Sequence, residues 1–442
     1  MWCAAWRLRS EGPRISCPFK PEAVGDGTVR AEGSFVPRQL FLTGGRRPGA
    51  LRVTYLTNQL PWPAHSGGQL REAELLARAG RTVDVDLFIL TENYDRDARH
   101  ARLATPHCAS VRLFESAPTP PDGPAGDVPE RVWRYESTAF DAALREHLAA
   151  SPPDVLHVEG YFLAGHLPAR RPAPLVIVAE NVEYLIDRDN EAQGRARGAP
   201  WPVSKEREYA ALARAALVGT VCREDADIMR ADAPGLPVSV FPNGADHLGL
   251  GREREEAPER DGLSARVTFV GNYAWGPTLD GAWSLVREIW PQVRRSHPTA
   301  RLALVGAGIP RELRSAAQAA GGIQVVGEVR AVFPVLAATD IFVCPVWIRS
   351  GIKVKMLEAL SAGCAVVGTK AALRGLPAQV ERAVLTADDS RSFAAAIGAL
   401  IDDPARRRDL SKLARQALDS FPTWDDAAEI LVSGWRQARR AG

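Results

Sequence analysis

From residue 51 onward, short apolar runs alternate with stretches whose apolar residues recur every three or four positions. Runs of the first kind read as buried strands, and stretches of the second kind as amphipathic helices. In the first half the pattern predicts strands over 51–57, 83–90, 111–115, 154–158, 175–180, 217–222 and 238–241, with helices over 69–79, 131–149, 182–192 and 203–216. The alternation then restarts, with strands over 267–271, 301–306, 323–326, 341–346 and 365–369 and helices between them. Three helical segments, 390–402, 404–419 and 424–439, close the chain. Strand and helix in alternation are the mark of βαβ units on a parallel sheet. Residues 1–50 carry neither period and are rich in Gly, Pro and Arg, so they are expected to be a disordered extension. The charged stretch GREREEAPERDG, after the turn Pro242-Asn243-Gly244, reads as a linker. The expected layout is therefore an α/β chain of two doubly wound, Rossmann-like domains, 51–250 and 265–422, joined through 251–264. A last helix, 423–442, is expected to pack back on the first domain. In such sheets ligands bind beyond the carboxyl ends of the strands, which puts the site in the cleft between the domains.

Composition narrows the class. Lys plus Arg is 55 and Asp plus Glu is 53, a formal net charge of +2, so no nucleic-acid or other polyanion partner is expected. No apolar run reaches the roughly 18–20 residues that span a bilayer, and Arg7 and Arg9 interrupt any secretory core. A cytoplasmic protein with at most peripheral membrane contact is expected. The six cysteines, at 3, 17, 108, 222, 344 and 364, show no metal spacing, so free thiols and no metal are expected. The basic residues divide unevenly, 6 Lys against 49 Arg, and three of the six lysines (Lys353, Lys355 and Lys370) fall close together.

That cluster lies in CPVWIRSGIKVKMLEALSAGCAVVGT, read as strand, turn at Arg349-Ser350-Gly351, helix from Ile352 to residue 361, and buried strand. Ser350 suits an N-cap, and the free N–H groups of a first helical turn form an anion site. Lys353 and Lys355 in that turn oppose the helix dipole unless a negative ligand, such as a diphosphate, offsets them. Glu358 on the same helix is placed to accept hydrogen bonds from a ribose or sugar hydroxyl pair. In TNQLPWPAHSGGQLR a strand runs into Gly67-Gly68 and a helix; glycine there lets the backbone approach a phosphate or sugar, with His65 beside the loop and Arg71 one turn behind.

The segment SGIKVKMLEALSAGCAVVGT resembles the donor-binding segment of the retaining glycosyltransferases of family 4, the glycosyl transferases group 1, in the branch with Gly-Ile-Lys-x-Lys. The resemblance implies a GT-B enzyme that moves a sugar from a nucleotide-diphosphate sugar to a glycan, lipid or small-molecule acceptor. It implies an acceptor-side first domain and a donor-binding second domain. Of the family's two glutamates, the second falls on Glu358, a ribose contact; the first falls on Ser350, a departure. Gly67, Gly68, Ser350, Gly351, Ile352, Lys353 and Lys355 would meet the diphosphate. VIVAENVEYLIDRD resembles the family segment with a histidine near the anomeric centre; Glu180 stands in that place, beside Asn181, and with Lys353 is the catalytic candidate. VTFVGNYAWGPTLDGAWSLVREIWP resembles the first strand and helix of the second domain, with Gly271 and Asn272 facing the cleft. Arg349 completes the cleft candidates. No cofactor is implied beyond the nucleotide-sugar co-substrate. A nucleotide-sugar epimerase of the same architecture, and a degenerate copy that binds without transfer, are the alternatives.

Overall fold

The computed structural model describes residues 38–117, 128–192, 194, 198–246, 265–349, 351–419 and 421–441. Residues 1–37 of the expected extension, the whole of the expected linker 251–264, Ser350, and parts of the loops at 117–130 and 194–202 lie outside these residues.

Two sheets carry the architecture. The first has eight strands: β1 Gln39–Thr43, β2 Leu51–Thr57, β3 Val83–Thr91, β4 Ser110–Glu115, β5 Val155–Glu159, β6 Leu175–Ala179, β7 Leu217–Thr220 and β8 Val238–Val240. Their order is β1-β4-β3-β2-β5-β6-β7-β8. The second has β9 Arg266–Val270, β10 Arg301–Val305, β11 Ile323–Gly327, β12 Ile341–Cys344, β13 Ala365–Gly368 and β14 Val384–Thr386, ordered β11-β10-β9-β12-β13-β14. Every pairing is parallel except β1 with β4. Strands buried on both faces read as continuous apolar runs, which is why VLHVE, LVIVA, IFVC and AVVG are entirely buried. Apolar clusters line both faces of each sheet.

β1 corrects the expectation that the fold begins at residue 51. QLFLT is an edge strand hydrogen-bonded along β4. The arginines that gave this stretch a disordered look have buried partners. Arg46 pairs with Asp86 at 2.7 Å and Arg47 with Asp84 at 3.2 Å, both aspartates being almost wholly buried on β3. Arg38 is paired with Asp95 and Glu115.

The last helix, Trp424–Ala441, belongs to the first domain's core. Trp424, Ala427, Ala428, Leu431, Val432, Trp435 and Ala438 recur at helical spacing and are buried among β2, β3 and the helix Gly67–Ala79. The backbone points at which the chain leaves and re-enters that domain are joined: Ala245 N donates to Pro422 O at 3.1 Å, and Trp424 N to Asp246 Oδ1 at 2.7 Å.

Candidate functional site

The carboxyl ends of the two sheets meet at the segment that carries the lysines. Its helix runs Val354–Ser361, with Lys353 as N-cap at φ −86° and ψ 87° and no side-chain cap. The helix therefore starts later than the serine signal suggests. Gly351 explains the delay, because its φ of +66° breaks helical geometry. Only glycine fits there in any case: a Cβ would run into Asn181 Oδ1 and the carbonyl of Glu180 from the first domain.

The turn is clasped from across the cleft. Asp225, fully buried in the first turn of the helix Arg223–Asp232, accepts from Gly351 N at 3.0 Å through Oδ2. Its Oδ1 accepts from Arg374 Nε at 3.0 Å and Nη2 at 2.6 Å. Beside it, Glu224 Oε1 accepts from Gly375 N at 3.2 Å. Ile352 packs on Gly375, and Arg349 is exposed.

The two lysines differ in setting. Lys353 is 3% exposed and donates to Gly351 O at 3.2 Å. Burial lowers its pKa to about 8, against the opposing pull of Asp225. Lys355 is half-buried and donates to Thr278 Oγ1 at 2.8 Å, with its Nζ over the Phe269 and Trp275 rings at 5.1 and 5.8 Å. A Cβ at Gly271 would sit 2.7 Å from that Nζ, so the glycine makes room for the lysine at the end of β9. Burial lowers the Lys355 pKa as well, with Glu358 opposing. Glu358 is half-buried one turn further on. Asn272 is turned to local work, its Oδ1 accepting from Ala274 N at 3.0 Å.

From the other side, the Gly67-Gly68 loop faces this helix. Ser66 caps the helix Gly67–Ala79 by accepting from Gln69 N at 3.2 Å. A Cβ on Gly67 would lie 3.0 Å from Val354 Cγ2, and one on Gly68 would lie 2.9 Å from Gln59 Nε2 and 3.0 Å from Glu180 Oε2. The glycines thus let the two domains and the Glu180 carboxylate approach closely. His65 reaches Glu328 of the second domain at 3.4 Å. Asn181 Nδ2 donates to Glu183 Oε1 at 3.2 Å.

Glu180, one residue past β6, has a side chain about one-third exposed. Burial and the Glu159 charge raise its pKa to about 7, with Arg71, 4.0 Å away, opposing. Gly67, Gly68, Glu180, Asn181, Gly351, Lys353 and Val354 are thus one neighbourhood, with Lys355 and Gly271 adjoining it on the second sheet. Asp225 and Arg374, which hold the Gly351 turn, carried no signal as site residues in the sequence.

Known families align with both halves of this arrangement. Glycosyltransferase Family 4 matches residues 66–247, and glycosyl transferases group 1 matches residues 264–403. The chain is a group 1 glycosyltransferase of GT-B architecture. No curated protein is a significant match to the sequence. Among solved structures, this glycosyltransferase is similar to sucrose-phosphate synthase from Thermosynechococcus elongatus, at 17% identity and TM-score 0.65, over 89% of this chain and 100% of that one. It is similar to the Anabaena protein HepE in complex with UDP and glucose, at 16% identity and TM-score 0.61, over 88% and 100%. A third is WaaG, a glycosyltransferase involved in lipopolysaccharide biosynthesis, at 15% identity and TM-score 0.58, over 86% and 98%. At these identities the likeness is one of fold: two parallel-sheet Rossmann-like domains.

Proposed function

We propose that the glycosyltransferase binds a nucleotide-diphosphate sugar on its second domain and transfers the sugar, with retention of anomeric configuration, to an acceptor lodged against the first. The observation that carries this reading is the start of the helix Val354–Ser361, with Lys353 and Lys355 flanking it and Gly67 packed against Val354. Helix N–H groups and lysines aimed at a diphosphate stabilise the charge that builds as the sugar departs, the main electrostatic demand of the step. Glu358 would hold the ribose. Glu180, next to the Gly351 turn, would lie by the reacting sugar. Departure and attack on the same face, with the leaving phosphate oxygen taking the acceptor proton, is the route that the resemblance implies and that this reading adopts. HepE with UDP and glucose supports UDP as the first nucleotide to try. No metal or cofactor enters this reading, and its setting is the cytoplasm.

Isothermal titration with UDP and transfer from UDP-glucose to a panel of neutral glycans test it. Replacing Lys355 by alanine should weaken UDP binding by at least tenfold, and Lys353→Ala should lower the transfer rate further. Unchanged binding and transfer in both variants would sink the assignment. Conversion of donor with no acceptor present would point to epimerase chemistry instead.

A further inference from the structure

Two glycines stand against Glu180. A Cβ on Gly68 would come within 3.0 Å of its Oε2, and one on Gly351 within 2.7 Å of its backbone carbonyl oxygen. The two carboxylate oxygens have different settings. Oε1 is sealed from solvent and has no hydrogen-bond partner, whereas Oε2, beside Gly68, belongs to the exposed third of the side chain. A sealed carboxylate oxygen without a donor is unfavourable unless an opposite charge stands near it. The charge here is Arg71, whose Nε lies 4.0 Å from Oε1.

Arg71 is itself held. It is 1% exposed, and its Nη1 donates to Pro242 O at 3.0 Å and to Asn243 Oδ1 at 2.6 Å. That turn is the last stretch of the first domain before the chain crosses: two residues after Asn243, Ala245 N donates to Pro422 O, where the chain returns. Arg71 therefore spans from the crossover to Glu180. Swinging to bond Glu180 more closely would break its bonds to the turn, so it acts on Oε1 from a fixed place and leaves Oε2 open beside Gly68.

Charged groups face Glu180 from each neighbouring element. They are Arg71 and Glu72 on the helix Gly67–Ala79, Glu159 at the end of β5, and Lys353 past the Gly351 turn across the cleft. Burial, with the charges of Glu159 and Glu180, lifts the Glu72 pKa well above the carboxylate range, so Glu72 carries little charge. Burial disfavours the Glu159 charge as well, but His157 and Arg71 outweigh it and lower that pKa. Over Glu180, burial and Glu159 thus stand on one side and Arg71 on the other.

We infer that Arg71 is a positioning residue for transfer: it holds Glu180 in place as an anion whose open Oε2 faces the positive charge developing on the sugar as the diphosphate leaves. The inference rests on the transfer reading and deepens it. A glycosyl group passes through an oxocarbenium-like state as its bond to the leaving oxygen breaks, and a fixed anion beside it lowers that barrier. The electron pair of that bond leaves with the diphosphate, the acceptor proton goes to a phosphate oxygen, and Glu180 forms no bond and takes no proton.

The pH profile of kcat on the full chain, with UDP-glucose and a neutral glycan acceptor saturating, tests this. Bound diphosphate keeps Lys353 protonated above pH 8, so the acid limb set by Glu180 stands clear. That limb should fall at pH 7 or above, since the Glu180 pKa of about 7 in the free protein rises further beside the diphosphate. Glu180→Gln should lower kcat at least thirtyfold and abolish the limb, with UDP affinity within twofold. Arg71→Met removes the opposing charge, so the limb should move up by about one unit. Arg71→Lys keeps the charge without the fork; the limb should stay in place while kcat falls at least threefold. An arginine that served folding alone would lower activity equally at every pH. A limb retained in Glu180→Gln, or unmoved in Arg71→Met, overturns the inference and leaves the transfer reading standing. If Arg71→Met folds poorly, wild-type kcat in Arg71→Lys overturns it. A chain that neither binds UDP nor uses UDP-glucose overturns the transfer reading, and the role of Arg71 in transfer with it.

Discussion

Lys353 is a buried cation whose pKa is lowered to about 8, chiefly by burial, so small changes at its loop decide its charge. A bound diphosphate favours the protonated form, which raises the lysine pKa in the complex above its value in the free protein. The sign follows by linkage: below pH 8 both states carry the proton and affinity is flat; above it, binding requires proton uptake. UDP affinity measured by titration should therefore fall by up to about tenfold per unit above pH 8, a slope to which Lys353 contributes nothing between pH 6.5 and 7.5. Lys353→Met should remove that slope while lowering the affinity throughout. An equal slope in wild type and variant would assign the titration to another group. At Gly351 the restriction is geometric: the left-handed backbone and the nearness of Asn181 and Glu180 exclude any side chain, so this position shapes the turn on which Lys353 sits.

At the scale of elements, the helix Arg223–Asp232 controls a turn on the opposite domain. Asp225 is the fully buried member of an ion pair with Arg374 and also takes the Gly351 N–H. Removing one partner of a buried pair leaves the other uncompensated, at about 3–5 kcal/mol. Asp225→Ala should lower stability to denaturant by that order and weaken UDP binding, whereas Leu103→Ala, at an exposed surface position, should do neither. A stability loss with unchanged nucleotide affinity would show that the clasp serves folding alone. This clasp was not legible in the sequence because its partners are 126 and 149 residues apart. The central strands were legible, since apolar runs such as LVIVA and IFVC are local and buried throughout, whereas the three-residue edge strand β14 was not predicted. β1 was missed because five alternating residues in a Gly- and Arg-rich stretch become a strand only when β4 is beside them. The start of the lysine-bearing helix was misplaced because a serine before a helix is a good cap in general, while here the glycine that follows it sets the boundary. Arg71 was legible as a residue one turn behind the glycine loop, but its bonds to Pro242 and Asn243, 171 and 172 residues away in the chain, were not.

Across the molecule, the sequence order and the spatial order of the domains differ at the end of the chain. The helix Trp424–Ala441 lies on the helix Gly67–Ala79 and buries two tryptophans completely in the first core. Through Trp435 and His157 it also orients Glu159. Gly244 packs so closely on the Trp424 backbone that a side chain there would collide with it. In topological terms the second domain is a guest, inserted into a host made of residues 38–246 and 424–441. The backbone at the two insertion points is already hydrogen-bonded together. Residues 247–423 can therefore be excised and Asp246 linked to Trp424 through a short Gly-Ser bridge. The resulting host should fold cooperatively, with the buried Trp435 giving a single melting transition by fluorescence. A chain truncated after Asp246 should not fold, because it lacks the helix that closes its core. A guest whose two ends meet at one place pivots there, and any pivot that opens the cleft must also break the hydrogen bonds that Asp225 and Glu224 accept from Gly351, Arg374 and Gly375.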